Sequence, residues 1–197
     1  MQEEGYIKFN VNNDFKQNNI NDIVIRDINK VRKYLKDKGL IGYDGNANVS
    51  FGNISHRILG NTFVITSTNT GKYRFLRKQE LSLVYDFDIK RNSISSNGMK
   101  LPSSETLSHV AIYLANQNVN AVIHIHSEYL WTKYFNVISS IGEEFLYGTT
   151  ELSEQIFKKV SSENKSKGII LFKGHENGLI VFAEDIFSAK QIIDSYF

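Results

Sequence analysis

The chain has 197 residues, with 41% hydrophobic and 22% charged residues, which is the size and balance of one globular domain. Cysteine is absent, which excludes disulfides and thiolate metal or redox chemistry. The formal net charge is +2 with no long basic run, so the composition does not point to nucleic acid.

The start, Met1 to Lys8, is polar and acidic and lacks the basic and apolar blocks of a signal peptide. The longest apolar runs, such as Gly168 to Phe172 and Gly178 to Ala183, are strand-length, far short of the roughly 20 residues needed to cross a bilayer. These features predict a cytoplasmic location with no membrane partner. Triplets of the N-glycosylation pattern start at Asn48, Asn53 and Asn164 and are read as chance in an Asn-rich chain.

Residues 1–20 are polar and aperiodic, which predicts a loose N-terminal arm followed by a single domain over 21–197. From about Asn21 to Lys38, Val24, Ile28, Val31 and Leu35 form a helical stripe, and Gly39 supplies the stop. A Gly- and Asn-rich loop covers Gly42 to Asn53. Strand-like runs follow at Thr62 to Thr66 and Leu81 to Phe87. Ser103 or Ser104 can cap a second helix to about Asn116, with Leu107, Val110, Ala111 and Leu114 in line.

Val119 to His126 reads as a buried strand. A short aromatic helix is expected around Glu128 to Phe135, and a longer one from Glu151 to Glu163 with Leu152, Ile156 and Val160 on one face. Two strands, Gly168 to Phe172 and Gly178 to Phe182, flank a tight polar turn. A last helix follows Glu184 and Asp185, with Ile186, Ala189 and Ile193 aligned. The mixture predicts a layered α/β sandwich with a largely antiparallel sheet.

His124 and His126 end the Val119 to His126 run. Residues two apart on a strand face the same way, about 7 Å apart at Cα. That suits two ligands of one metal ion, and it also suits two ordinary hydrogen-bonded histidines. Ile125 should point to the opposite side, into a core. His175 sits in a Gly-flanked turn from which it can reach a metal, or serve as a plain turn residue. Three histidines with an open position are the shape of a catalytic zinc site.

Glu105 stands at the first turn of the second predicted helix. An acid there complements the helix dipole, or acts as ligand or general base beside a metal. Ser103 and Ser104, with free N–H groups at the helix start, can form an anion site. His109, one turn on, reads as structural, and His56 has no evident partner. Gly52-Asn53-Ile54-Ser55 and Thr68-Asn69-Thr70-Gly71 are further polar loops that can line a phosphate pocket. Arg57 and Lys72 read as solvated surface charges.

Four motifs in order resemble the class II aldolase/adducin family. Gly52-Asn53-Ile54-Ser55-His56-Arg57 resembles its GNxSxR segment, and Phe63 to Thr66 with Thr70-Gly71 its ITxTG loop. Leu101-Pro102-Ser103-Ser104-Glu105 is similar to its PSSE box, and Ala121 to Ser127 to its AVxHxHS strand. The resemblance implies a three-layer α/β/α sandwich with a mostly antiparallel central sheet. It implies Zn²⁺ or another divalent metal held by His124, His126 and His175, and Glu105 as acid/base. It places Gly52, Asn53, Thr70, Gly71, Ser103 and Ser104 around a substrate phosphate. It further implies a homo-oligomer, often a tetramer.

The implied activity is that of an aldolase-type lyase acting on a small sugar phosphate or related hydroxyketone through a metal-stabilised enediolate. Epimerisation at C4 and dehydration share that electron sink, and an adducin-like scaffold would keep the fold without the chemistry. A zinc hydrolase also fits three histidines but leaves the PSSE and GNIS loops unexplained. Two departures stand out: Glu176 and Asn177 separate His175 from Gly178, and the loop from Thr66 to Gly71 is longer, with Ser67 replacing the usual Pro. Tyr196 is a candidate for the family's C-terminal tyrosine acid by position.

Overall fold

The computed structural model describes residues 6–197; the first five residues of the expected arm, and with them most of the acidic start, lie outside the described residues. Helix α1 spans Asp22–Asp37. Asn21 caps it by accepting from the Ile23 N–H, and Gly39, at φ +71°, ends it in the left-handed conformation that glycine adopts without strain. The later helices are α2 (Thr106–Ala115), α3 (Glu128–Tyr134), α4 (Thr150–Glu163) and α5 (Ile186–Asp194). Asp185 caps α5 by accepting from the N–H groups of Phe187 and Ser188. Among the described residues, no helix is long and apolar enough to cross a membrane.

The strands are β1 (Asn10–Asp14), β2 (Gly42–Asp44), β3 (Val49–Phe51), β4 (Asn53–Leu59), β5 (Thr62–Thr66) and β6 (Leu81–Asp88). They continue as β7 (Ser93–Asn97), β8 (Ala121–His126), β9 (Ser140–Ile141), β10 (Gly168–Phe172) and β11 (Gly178–Ala183). Among the described residues they form a sheet in the order β1-β7-β6-β5-β4-β8-β11-β10-β9, while β2 and β3 make a separate hairpin. The sheet is mixed, which corrects the expectation of a mostly antiparallel one. Its interior from β7 to β10 pairs antiparallel, but both edges pair parallel, β1 with β7 and β9 with β10. Both edge strands come from polar stretches that carry no strand signal. Part of the expected loose arm is therefore ordered as β1, with Phe9 and Ile20 buried beside it.

Two apolar clusters follow from strand alternation. Ile123 and Ile125 join Ile28, Val31 and Leu35 of α1 and Ile186, Ala189 and Ile193 of α5. Val122 joins Val110 and Ala111 of α2 and Leu152, Ile156 and Val160 of α4. Each fully buried aliphatic side chain contributes roughly 1.5–3 kcal/mol. Ile125 thus faces the core as expected, and the alternation leaves His124 on the side that holds α2. Leu114, expected in the α2 stripe, is instead exposed near the C-terminal end of α2, whose residues from Thr106 to Tyr113 are all buried.

Candidate metal and anion site

Strand β8 lies between β4 and β11. Its register sets His124 opposite Asn53 on β4 and Ile180 on β11, and sets His126 opposite Gly178. Side chains directly opposite on a sheet share a face. His124 and Asn53 are therefore neighbours, and both are buried. The His124 Nδ1 lies 3.0 Å from the Leu179 carbonyl. A proton on Nδ1, donated to that oxygen, leaves the Nε2 lone pair directed into the site, as ligating histidines require.

His175 arrives from the turn between β10 and β11. Gly174 makes that turn possible, since a Cβ there would lie 2.6 Å from the Phe145 carbonyl oxygen and 2.7 Å from that of Glu143. The two residues between His175 and Gly178 are accommodated by Asn177 at φ +63° and by a Gly178 N–H to His175 carbonyl bond of 2.9 Å. The longer turn thus leaves the histidine in place. Its ring stacks at 5.1 Å on His124 and meets His126 edge-on at 4.8 Å. One ligand nitrogen from each of His124, His126 and His175 lies within 4.8 Å of the others, with His124 and His126 Nε2 atoms 3.0 Å apart. Three convergent imidazoles, one with its tautomer set by a backbone carbonyl, fit a divalent ion of the zinc type.

Glu105 immediately precedes α2 and is buried. Its Oε2 is 3.0 Å from His124 Nε2, and its Oε1 is 3.4 Å from His175 Nδ1. Asn53 Nδ2 stands 3.5 Å from the same Oε2. Burial alone would raise the Glu105 pKa, but with the rings protonated on the nitrogens that face it, the charge and hydrogen bond of His124, then those of His175, hold it well below the usual carboxylate range. Glu105 itself occupies the N-cap position, without a side-chain cap bond, so neither Ser103 nor Ser104 caps α2 as expected.

A polar pocket opens beside this cluster. Its walls include Gly52, Asn53, Thr70, Gly71, Ser103 and Ser104, together with Glu105 and His124. The structure therefore brings together every residue that the motifs had assigned to phosphate. Gly52 is required for two reasons: its φ is +71°, and a Cβ would fall 2.4 Å from Ile41 Cγ2. The Gly71 N–H already donates to Ser50 Oγ at 3.0 Å, and the Thr70 hydroxyl donates to the Ser67 carbonyl at 2.7 Å. The Gly71 N–H and the Thr70 hydroxyl are thus engaged within the wall itself.

Two other expectations change, and one pocket residue had no expectation attached. Arg57 is buried and donates to the Val119, Tyr113 and Gly60 carbonyls, so it ties β4 to the end of α2 rather than facing solvent. The Tyr196 ring packs edge-on against Tyr134 at 5.1 Å and lines neither the polar pocket nor the groove beside His126. Tyr147 was missed. It lines the pocket, donates its hydroxyl to Ser104 Oγ, and places its ring 4.9 Å from His175. It lies in an irregular segment with no motif around it, so spacing carried no signal. His109 is structural as expected: its Nδ1 is 2.7 Å from Ser55 Oγ, which lies 2.7 Å from the Tyr113 hydroxyl.

The family described as Class II Aldolase and Adducin N-terminal domain matches residues 39–196. The chain belongs to this family. A curated relative, the L-fuculose phosphate aldolase of Methanococcus maripaludis, is 27% identical over 176 residues, covering 81% of this chain and 84% of that protein. Among solved structures, a sugar-phosphate aldolase from Thermotoga maritima superposes with a TM-score of 0.65 at 19% identity, over 89% of this chain and 90% of that one. An L-fuculose-1-phosphate aldolase from Thermus thermophilus gives 0.61 at 15% identity, over 89% and 87%. These likenesses bear on the fold, and they agree with its mixed α/β architecture.

Proposed function

We propose that this class II aldolase family member is a divalent-metal-dependent lyase that cleaves a small phosphorylated hydroxyketone. The observation that carries the reading is the Glu105 carboxylate set between His124 and His175 at the floor of a polar pocket. His124, His126 and His175 would hold the ion, Zn²⁺ by donor type. When bound, such an ion supplies Lewis acidity to a carbonyl and its neighbouring hydroxyl.

The chain's own residues supply the rest. Glu105 takes or returns the proton on carbon, and Asn53 orients its Oε2. Ser103 and Ser104, at the start of α2, hold the phosphate and fix which carbon faces Glu105. The burial of Glu105 and His124 excludes bulk water from the proton transfer. Epimerisation at C4 and dehydration would use the same groups, whereas an adducin-like scaffold would need neither the three histidines nor the buried carboxylate. We further read the working assembly as a homotetramer, following the family.

The test is a coupled assay on zinc-loaded protein. Short ketose 1-phosphates should release dihydroxyacetone phosphate, and the unphosphorylated ketoses should react far more slowly. Epimerised product without cleavage would replace the lyase assignment by the epimerase one. No turnover of any ketose phosphate, with the metal in place, would reject the enzyme reading.

A further inference from the structure

Helix α1 carries two cations under the wall of the anion pocket. Arg32 lies on its buried face, 1% exposed, among Ile28, Val31 and Leu35. One guanidinium nitrogen donates to the Thr70 carbonyl at 2.7 Å and to the Tyr73 carbonyl at 2.9 Å. Its Nε has no hydrogen-bond partner, and among the described residues no carboxylate lies within ion-pair distance. Lys36, one turn later, donates to the Gly71 carbonyl and likewise has no acidic partner there. The nearest acid on the helix, Asp37, is engaged by Lys33 and Arg74.

A buried charge without a counter-charge is costly. Burial pushes the Arg32 pKa down to about 10, which still leaves it cationic at neutral pH. Carbonyl dipoles offset only part of that cost. Thr70 and Gly71, whose carbonyls these cations grip, line the pocket from the other side. A trans peptide points its C=O and the following N–H in opposite directions. Holding the Thr70 carbonyl toward Arg32 therefore turns the Gly71 N–H toward Ser50, whose oxygen accepts it at 3.0 Å. The Ser50 hydroxyl proton is then free to be donated to a guest, and Ser50 also lines the pocket.

We propose that Arg32 and Lys36 are positioning residues for a bound anion of the phosphate class, gripping the loop at Thr70 and Gly71 from behind and supplying positive field to a pocket that is lined by the Glu105 carboxylate and by no lysine or arginine. This rests on the anion-pocket reading above. It also assigns α1 a part in substrate charge selection that none of the four motifs covers.

The experiment titrates inorganic phosphate into zinc-loaded protein by calorimetry and repeats the thermal melts with and without phosphate. Wild type, Lys36→Gln, Lys36→Arg, Arg32→Lys and Arg32→Met are compared. Lys36→Gln should weaken phosphate binding about tenfold or more, Lys36→Arg should restore it, and the phosphate-dependent rise in melting temperature should shrink in step. Arg32→Met should lose that rise most completely. Lys36 is only half-buried, so Lys36→Gln decides the matter if Arg32→Met does not fold. Phosphate binding by Lys36→Gln equal to wild type would overturn the proposal and leave the pocket standing. Wild type that binds no phosphate at millimolar concentration would remove the pocket and the proposal together.

Discussion

Oε2 of Glu105 lies 3.0 Å from Nε2 of His124, although the two residues belong to different elements, 19 positions apart. The contact ties the start of α2 to the end of β8, and it places a carboxylate where protons and charge can be exchanged with a substrate on the histidine cluster. Replacing the carboxylate by an amide keeps the size and removes the basicity. Glu105→Gln should therefore slow turnover by about 10² or more, with KM changed only a few-fold. Steady-state kinetics on zinc-loaded variant and parent would check this. A rate within a few-fold of the parent would reduce Glu105 to a helix-start residue.

The histidine cluster makes a separate prediction. Its geometry accounts for one divalent ion per chain, with His124 and His126 from one strand and His175 from a turn. Chelator treatment should abolish activity, and added Zn²⁺ should restore it. Elemental analysis of a His124→Ala, His126→Ala double variant should show less than a tenth of the parent's metal. Full occupancy in that variant would place the ion elsewhere.

Much of this site was legible because its physics is local. Strand alternation alone put His124 and His126 on one face and Ile125 on the other. The amphipathic stripes of α1, α4 and α5 located those helices to within a residue or two. Glu105 and the serines were legible only through the PSSE motif, since an acid before a helix is common. What stayed hidden depended on long-range partners. Strand β4 carries Asn53, Ser55 and Arg57, buried polar residues that interrupt the apolar pattern because each finds a hydrogen-bond partner on α2 or beside it. β1 and β7 are polar strands, Asn-rich and Ser-rich, made regular by pairing with each other. Arg32 belongs to no motif, and only the fold reveals that its partners are the Thr70 and Tyr73 carbonyls.

Gly52 offers a test of the pocket's backbone. Its positive φ and the approach of Ile41 both exclude a side chain. Gly52→Ala should cost roughly 1–3 kcal/mol in urea unfolding, through left-handed strain and the displaced Ile41. The neighbouring Asn53 should shift with it, so turnover should fall even at temperatures where the variant is folded. A variant as stable and active as the parent would show that the turn relaxes freely.

His109 should make stability pH-dependent. Burial pushes its pKa down to about 3 from an ordinary value of 6.5; the Glu105 charge opposes this weakly and His124 adds to it. Folding therefore favours the neutral ring. Its contribution is complete above pH 6.5 and is lost progressively as pH falls toward 3, because the unfolded chain takes up the proton first. Relative to a His109→Gln variant, which cannot titrate, wild type should lose on the order of 2 kcal/mol of unfolding free energy between about pH 7 and about pH 4.5. Parallel urea titrations at the two pH values would measure it, and equal losses in both proteins would remove His109 from the acid response.

Assembly is the last point at issue, and most of the aromatic segment after β8 is occupied within its own chain. Leu130 is fully buried, and Trp131, Tyr134 and Phe135 pack on their own chain's core. Tyr129 remains exposed, with its ring stacked at 6.0 Å on Phe197. That pair borders the groove beside His126, so a neighbouring subunit covering it would also close one side of the site. Light scattering at micromolar concentration should show a homotetramer for the wild type. Tyr129→Asp should shift it toward smaller species and lower turnover while leaving the secondary structure intact, since the residue contributes little to its own chain's core. A wild-type monomer at that concentration would contradict the tetramer, and a Tyr129→Asp variant that assembles normally would move the interface to another face.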